Sequence, residues 1–130
     1  MTTFAPDRTP YDLIGGDAGV RQLVDRFYDL MDQEPAAAEI RALHATSLKA
    51  SREKLSLYLS GWLGGPQLYV EKYGHPMLRA RHLPFPIAER ERDQWLWCMD
   101  RAIAEHPMPD ELKEFLRSKL RPLADHMRNR

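Results

Sequence analysis

The sequence predicts an all-α domain, and three observations carry that reading. Apolar residues recur at three- and four-residue steps through several long stretches, no segment alternates with the period of a half-buried strand, and no repeat of roughly 20 to 50 residues is present. A chain of 130 residues fits one domain, which buries roughly two-thirds of its unfolded surface and leaves room for a core and one enclosed ligand. Nineteen basic and nineteen acidic side chains balance, so no sequence-wide positive field exists to gather nucleic acid or drive membrane association. The single cysteine, Cys98, excludes an intrachain disulfide framework. No apolar run reaches roughly 18 residues and no signal-peptide core appears, so no membrane insertion is expected, and a reducing compartment, the cytoplasm, is the expected location.

Residues 1–10 lack apolar periodicity and read as a flexible N-terminal tail, followed by a domain over 11–127 and a short C-terminal tail at 128–130. Tyr11 to Ile14 makes one helical turn, which Gly15-Gly16 ends. Asp17 is placed to cap the next helix, whose stripe is Val20, Leu23, Val24, Phe27, Leu30 and Met31, with Tyr28 beside it. Pro35 breaks the pattern, and a short helix from Ala36 to Leu43 precedes the corner His44-Ala45-Thr46. Thr46 or Ser47 caps a longer helix with Leu48, Leu55, Tyr58, Leu59 and Trp62 inward, and Ser51 falls in the same row. A small polar residue there marks either a close helix crossing or the lining of a cavity. Gly64-Gly65-Pro66 stops this helix, and a short one runs through Leu68, Tyr69 and Tyr73 to Gly74.

In the run from His75 to Phe85, Pro76 suits the first turn of a helix, and Leu83, preceding Pro84, is pushed toward extended backbone. His82 is then the last helical position, with Leu78 four residues earlier on its side. Such an imidazole is either a metal ligand or a core histidine. A long helix from Ile87 to about Glu105 follows, with Trp95, Met99, Ala102 and Ile103 on one face and a solvated charged start, Glu89-Arg90-Glu91-Arg92. Asp110 caps the last helix, with Leu112, Phe115, Leu116, Leu120 and Leu123 inward, and Pro122 is expected to kink or end it.

Between residues 64 and 86, three glycines and four prolines cut the centre of a helical chain into short pieces. Irregular backbone there suggests an interior partly filled by something other than side chains. The five histidines form no HExxH pair and no zinc-spaced set with cysteine, and there is no phosphate loop and no carboxylate pair in an apolar setting. His75, His106 and His126 read as turn or tail residues and Cys98 as an inert thiol. What remains is one aimed histidine, with Tyr28 and Trp95 on apolar faces. Haem suits that combination: one imidazole ligand, an apolar slot and a few donors facing the open coordination position.

The chain resembles the truncated haemoglobins, most closely their second group, from Tyr11 to about Met127. The marks are Gly15-Gly16, Arg26-Phe27-Tyr28, Gly64-Gly65-Pro66, Gly74-His75-Pro76, Leu78 through Phe85, and Glu91 through Leu96. The resemblance implies a shortened globin fold, a two-over-two helical sandwich enclosing haem b (iron protoporphyrin IX). It implies His82 as the proximal iron ligand, Tyr28 and Trp95 as distal hydrogen-bond donors, and Ser51 and Leu55 controlling distal access. His44 takes the distal corner, or Leu43 if the register shifts by one. Lys54 and Arg81 match the positions that meet the haem propionates, and Leu48, Tyr58, Leu78 and Phe85 the pocket walls. The second ring nitrogen of His82 is expected to donate to a backbone carbonyl or water, with Leu78 O a candidate. The function implied is oxygen binding and transport, with dioxygen, nitric oxide and carbon monoxide as ligands and slow release. The alternatives are nitric oxide dioxygenation or peroxidase-like turnover with an external reductase, or a cofactor-free helical interaction module.

Overall fold

The computed structural model describes residues 8–130, and the first seven positions of the predicted tail lie outside the described residues. Eight α-helices and one 3-10 turn are present among the described residues, with no strand: α1 (Pro10–Ile14), α2 (Gly16–Gln33), the 3-10 turn Pro35–Ala37, α3 (Ala38–Ala42), α4 (Lys49–Trp62), α5 (Leu68–Tyr73), α6 (Leu78–His82), α7 (Glu89–Glu105) and α8 (Asp110–His126). Two helix pairs make the frame, α2 with α4 and α7 with α8, and α2 crosses onto α7 to join them. The expected stripe of α2 is the centre of the core. Val20, Leu23, Val24, Phe27, Leu30 and Met31 are all buried, against Met99, Ala102 and Ile103 of α7 and Leu112, Leu116 and Leu120 of α8. Cys98 is buried in the same core, where loss of hydration pushes its thiol up to about 11, as an inert thiol should be.

Several ends differ from the sequence expectation, each for a local reason. The tail is ordered from Thr9: its hydroxyl accepts from Asp12 N at 3.2 Å and its own N–H donates to the Asp12 carboxylate at 3.1 Å, a reciprocal cap that fixes α1. Asp17 caps nothing. Gly15, at φ 111°, both ends α1 and starts α2, which leaves Asp17 in the first turn beside Arg21 at 3.2 Å. The corner before α4 is closed by Arg41, which donates to the carbonyls of Ala45 and Thr46 at 2.9 and 2.8 Å, while the Ser47 hydroxyl accepts only from Lys49 N at 3.3 Å.

Glu91 is not part of a solvated face. It is buried, accepts from Ala88 N at 2.9 Å, and that bond holds its carboxyl below the usual carboxylate range. Asp110 sits inside the first turn of α8, with Pro109 at the cap position. Pro122 does not end α8: it lies on the exposed face, as does Ser118 one turn earlier, whose carbonyl loses its helical donor to the proline.

The centre departs most. Pro76 precedes α6 rather than opening it, and Met77 starts the helix from left-handed backbone at φ 48°. Leu83 stays helical at φ −55° and ψ −35° despite Pro84, so the helix unwinds over the turn instead of breaking into extended chain. Residues 128–130, expected as a tail, fold back: the N–H groups of Asn129 and Arg130 both donate to Ile87 O, at 2.9 and 3.1 Å. His75 makes the turn expected of it, its Nδ1 accepting from Met77 N at 3.2 Å.

At one position α2 leaves no room for a side chain: a Cβ on Gly19 would stand 2.0 Å from Ile14 O. Gly19→Ala should therefore force α1 off α2 and lower stability by about 1–3 kcal/mol, read from urea unfolding monitored by circular dichroism.

Candidate functional site

Three helices and one corner carry the residues predicted for the distal side of the site. α2 supplies Tyr28, the corner after α3 supplies His44, α7 supplies Trp95, and α4 supplies Ser51, Leu55 and Tyr58. Phe27 lies between the two long-range partners, its ring 4.8 Å from that of Tyr28 and 5.1 Å from that of Trp95, both edge-on. His44 stands edge-on to Tyr28 at 5.9 Å. The result is a continuous row of four rings, Trp95, Phe27, Tyr28 and His44, anchored at Phe27, which is fully buried.

The polar atoms of this row have defined states. Tyr28 is buried, and burial raises its pKa well above the ordinary tyrosine value, opposed by the charge of Arg52 and by hydrogen bonding with Ser51. The hydroxyl therefore keeps its proton. The Arg52 guanidinium lies 5.8 Å from the centre of the Tyr28 ring and is itself held by Asp29 at 2.8 Å and Asp25 at 3.1 Å. His44 donates from Nδ1 to Ile40 O at 2.9 Å, since a carbonyl only accepts, so in the neutral ring Nε2 carries a lone pair. Burial lowers its pKa, opposed by the Ile40 bond and helped by the charge of Arg41. The indole N–H of Trp95, half-buried, has no acceptor in the chain among the described residues.

On the other side, His82 donates from Nδ1 to Leu78 O at 2.6 Å, the acceptor expected from the sequence. That bond fixes the tautomer and leaves the Nε2 lone pair with no partner among the described residues. Leu78 is half-buried beside it, whereas Leu83 and Phe85 are among the most exposed large apolar side chains, at 55% and 42%. Lys54 of α4 and Arg81 of α6 converge on one pair of rings: Lys54 lies 5.7 Å from Tyr73 and Arg81 5.9 Å from Tyr69, with those two rings 5.0 Å apart. Neither cation has a carboxylate partner among the described residues.

Leu48 is placed differently from the other wall candidates. It is buried in the core at the head of α4 and lines an open polar groove of about 440 Å³ with Arg41, Lys49 and Arg52. Leu43, the alternative to His44 at the corner, is half-buried against the core and carries no polar group. No group of three or more His, Cys, Asp or Glu side chains converges among the described residues.

Sequence reasoning missed Phe27 as the link between Tyr28 and Trp95, and missed Arg52. Asp25 and Asp29, four residues apart on an exposed flank of α2, were the available signal for a cation arriving from another helix.

The sequence matches the family model for bacterial-like globins over residues 9–129. It is 42% identical over 120 residues to the group 2 truncated hemoglobin of Bacillus subtilis (strain 168), covering 92% of this chain and 88% of that protein. The fold superposes on the group II 2-on-2 hemoglobin of the plant pathogen Agrobacterium tumefaciens with a TM-score of 0.93, at 49% identity and 98% coverage of both chains. It superposes on the truncated oxygen-avid haemoglobin from Bacillus subtilis with a TM-score of 0.85, at 41% identity, over 94% of this chain and all of that one.

The state of His44 makes stability depend on pH. Its folded pKa lies below the ordinary histidine value of 6.5, so the unfolded chain binds the proton more readily. Its contribution is complete above 6.5 and is lost as pH falls through the lowered folded value. The urea midpoint should fall between about pH 7 and pH 5, and less steeply in His44→Phe than in the wild type.

Proposed function

The chain belongs to the bacterial-like globin family as a group II truncated haemoglobin, and from that premise we propose that it binds haem b through Nε2 of His82 and holds dioxygen, with nitric oxide and carbon monoxide as related ligands. The observation that carries the assignment is the 2.6 Å bond from His82 Nδ1 to Leu78 O, because it presents an unprotonated, oriented Nε2 with no competing partner. A core histidine satisfied at both nitrogens would have been unavailable to a metal.

When bound, haem supplies a ferrous centre that shifts electron density onto a diatomic ligand and makes its outer atom a strong hydrogen-bond acceptor. The chain's own residues meet that acceptor on the side of the aromatic row. Trp95 Nε1–H can only donate and has no other partner among the described residues. Tyr28 keeps its hydroxyl proton because burial suppresses ionisation, and Ser51 beside it holds the hydroxyl while leaving the space that a longer side chain would fill. The Nε2 lone pair of neutral His44 gives the row an acceptor, so the polarity across the slot runs from Trp95 as donor to His44 as acceptor. Leu55, Tyr58 and Leu78, all half-buried, line the walls, and the exposed Phe85 contributes a further apolar face. Lys54 and Arg81, lacking carboxylate partners of their own, meet the two propionates at the rim, where each exposed pair contributes about 0–1 kcal/mol.

Two donors to a partly charged atom, each worth about 1.5–3 kcal/mol, favour slow release. The relative from Bacillus subtilis described as oxygen-avid supports this reading. His82→Ala should abolish the Soret absorption on reconstitution with haem, whereas His75→Ala, which alters a turn, should retain it. Trp95→Phe and Tyr28→Phe should each speed dioxygen loss by about ten- to a hundredfold in stopped flow. An unchanged off-rate in both would remove the distal part of the proposal.

A further inference from the structure

α6 buries none of its five residues. Apolar packing therefore does not fix the helix that carries His82, and something else must. The polar contacts converge from the residues that end and follow α8. Asn129 places its side chain against three backbone groups of the turn after α6: Nδ2 donates to Phe85 O at 2.8 Å and to His82 O at 3.4 Å, while Oδ1 accepts from Ile87 N at 3.0 Å. Two carbonyls on one side and an N–H on the other leave no ambiguity about which way the amide faces. The Asn129 N–H adds a bond to Ile87 O at 2.9 Å. From within α6, Arg79 reaches the same segment, donating to His126 O at 2.6 Å and Arg128 O at 3.2 Å. Arg128 in turn pairs with Glu89 at the start of α7, at 3.2 Å.

We propose that residues 126–130 form a strap that positions the proximal histidine, with Asn129 and Arg79 as its two positioning residues. Asn129 grips the carbonyl of His82 itself and the turn that follows, and Arg79 grips the strap from the opposite flank. The strap takes the place of a buried face on α6. The inference rests on the assignment of His82 as the haem ligand, and both residues act through backbone groups of the chain.

Asn129→Asp tests it with almost no change of shape, because it replaces the donor facing two carbonyls by an oxygen that repels them. Arg79→Ala releases the strap from the other side and carries the test if Asn129→Asp fails to fold, as judged by far-ultraviolet circular dichroism. Arg121→Ala, which removes an α7–α8 ion pair with Asp100 at 3.1 Å, is the control for general loosening of α8. In the haem-loaded full chain, Asn129→Asp and Arg79→Ala should each speed haem transfer to an apoprotein acceptor by about tenfold. They should also shift or broaden the iron–histidine stretching band of the ferrous protein in resonance Raman, and Arg121→Ala should leave that band in place. An unmoved band in both strap variants, or the same shift in Arg121→Ala, would overturn the strap. A wild-type chain that takes up no haem would instead overturn the functional reading, and the strap with it.

Discussion

A helix of five residues with no buried side chain has to hold one imidazole still, and the rest of the structure follows from how that is done. The bond from His82 Nδ1 to Leu78 O lies within the helix, so it orients the ring relative to α6 but says nothing about where α6 sits. Placement comes from outside: the glycines and prolines of 64–86 bring the chain round, and the residues after α8 tie it down. Short helices joined by tight turns cannot bury a continuous apolar face, because each presents less than two turns to the core. Polar contacts to backbone carbonyls are the remaining way to fix position, and α6 uses them at both ends.

The opposite side of the slot is built on the other principle. Tyr28 and Trp95 stand on two long core helices, α2 and α7, and the residue between them, Phe27, is fully buried and meets both rings at about 5 Å. Each donor is flanked along its own helix by core residues, Val24 and Met31 on α2 and Leu96 and Met99 on α7, so its position is set by close packing. Overall neutrality hides an uneven distribution of charge around this frame. Arg52 is consumed by Asp25 and Asp29 beside Tyr28, whereas Lys54 and Arg81 are left without acids at the rim.

The parts legible in the sequence are those fixed by periodicity. The stripe of α2, the inward row of α8 and the pairing of Leu78 with His82 depend on residues three or four apart, the interruption between 64 and 86 depends on glycine and proline, and all are found in the structure. The ends were less legible, because a cap competes with its neighbours over one or two positions: Gly15 in left-handed geometry displaced Asp17, and the return of Glu91 to Ala88 N turned an apparent surface residue into a buried one. Least legible were contacts across large sequence separations. Asn129 lies 44 residues from Phe85 and Arg79 lies 47 from His126. A single asparagine in a polar run carries no local signal of its partners, since its hydrogen bonds are decided by the closure of the whole chain. The aromatic row was intermediate: its members were picked out individually, but the link through Phe27 needed α2 and α7 to cross.

The two sides of the slot therefore differ in how readily they open. Local opening is least costly where few apolar contacts are buried and where backbone hydrogen bonds face solvent, and both conditions describe α6 and its strap and neither describes α2 and α7. If haem binds as proposed, a planar group enters and leaves on the His82 side, while the donors that grade its small ligands stay in place. Substitutions in the strap then act on retention of the cofactor, and substitutions in the aromatic row act on retention of the ligand. The separation follows from burial alone: a site that packed both sides equally would couple the two rates, and this chain keeps them on different helices.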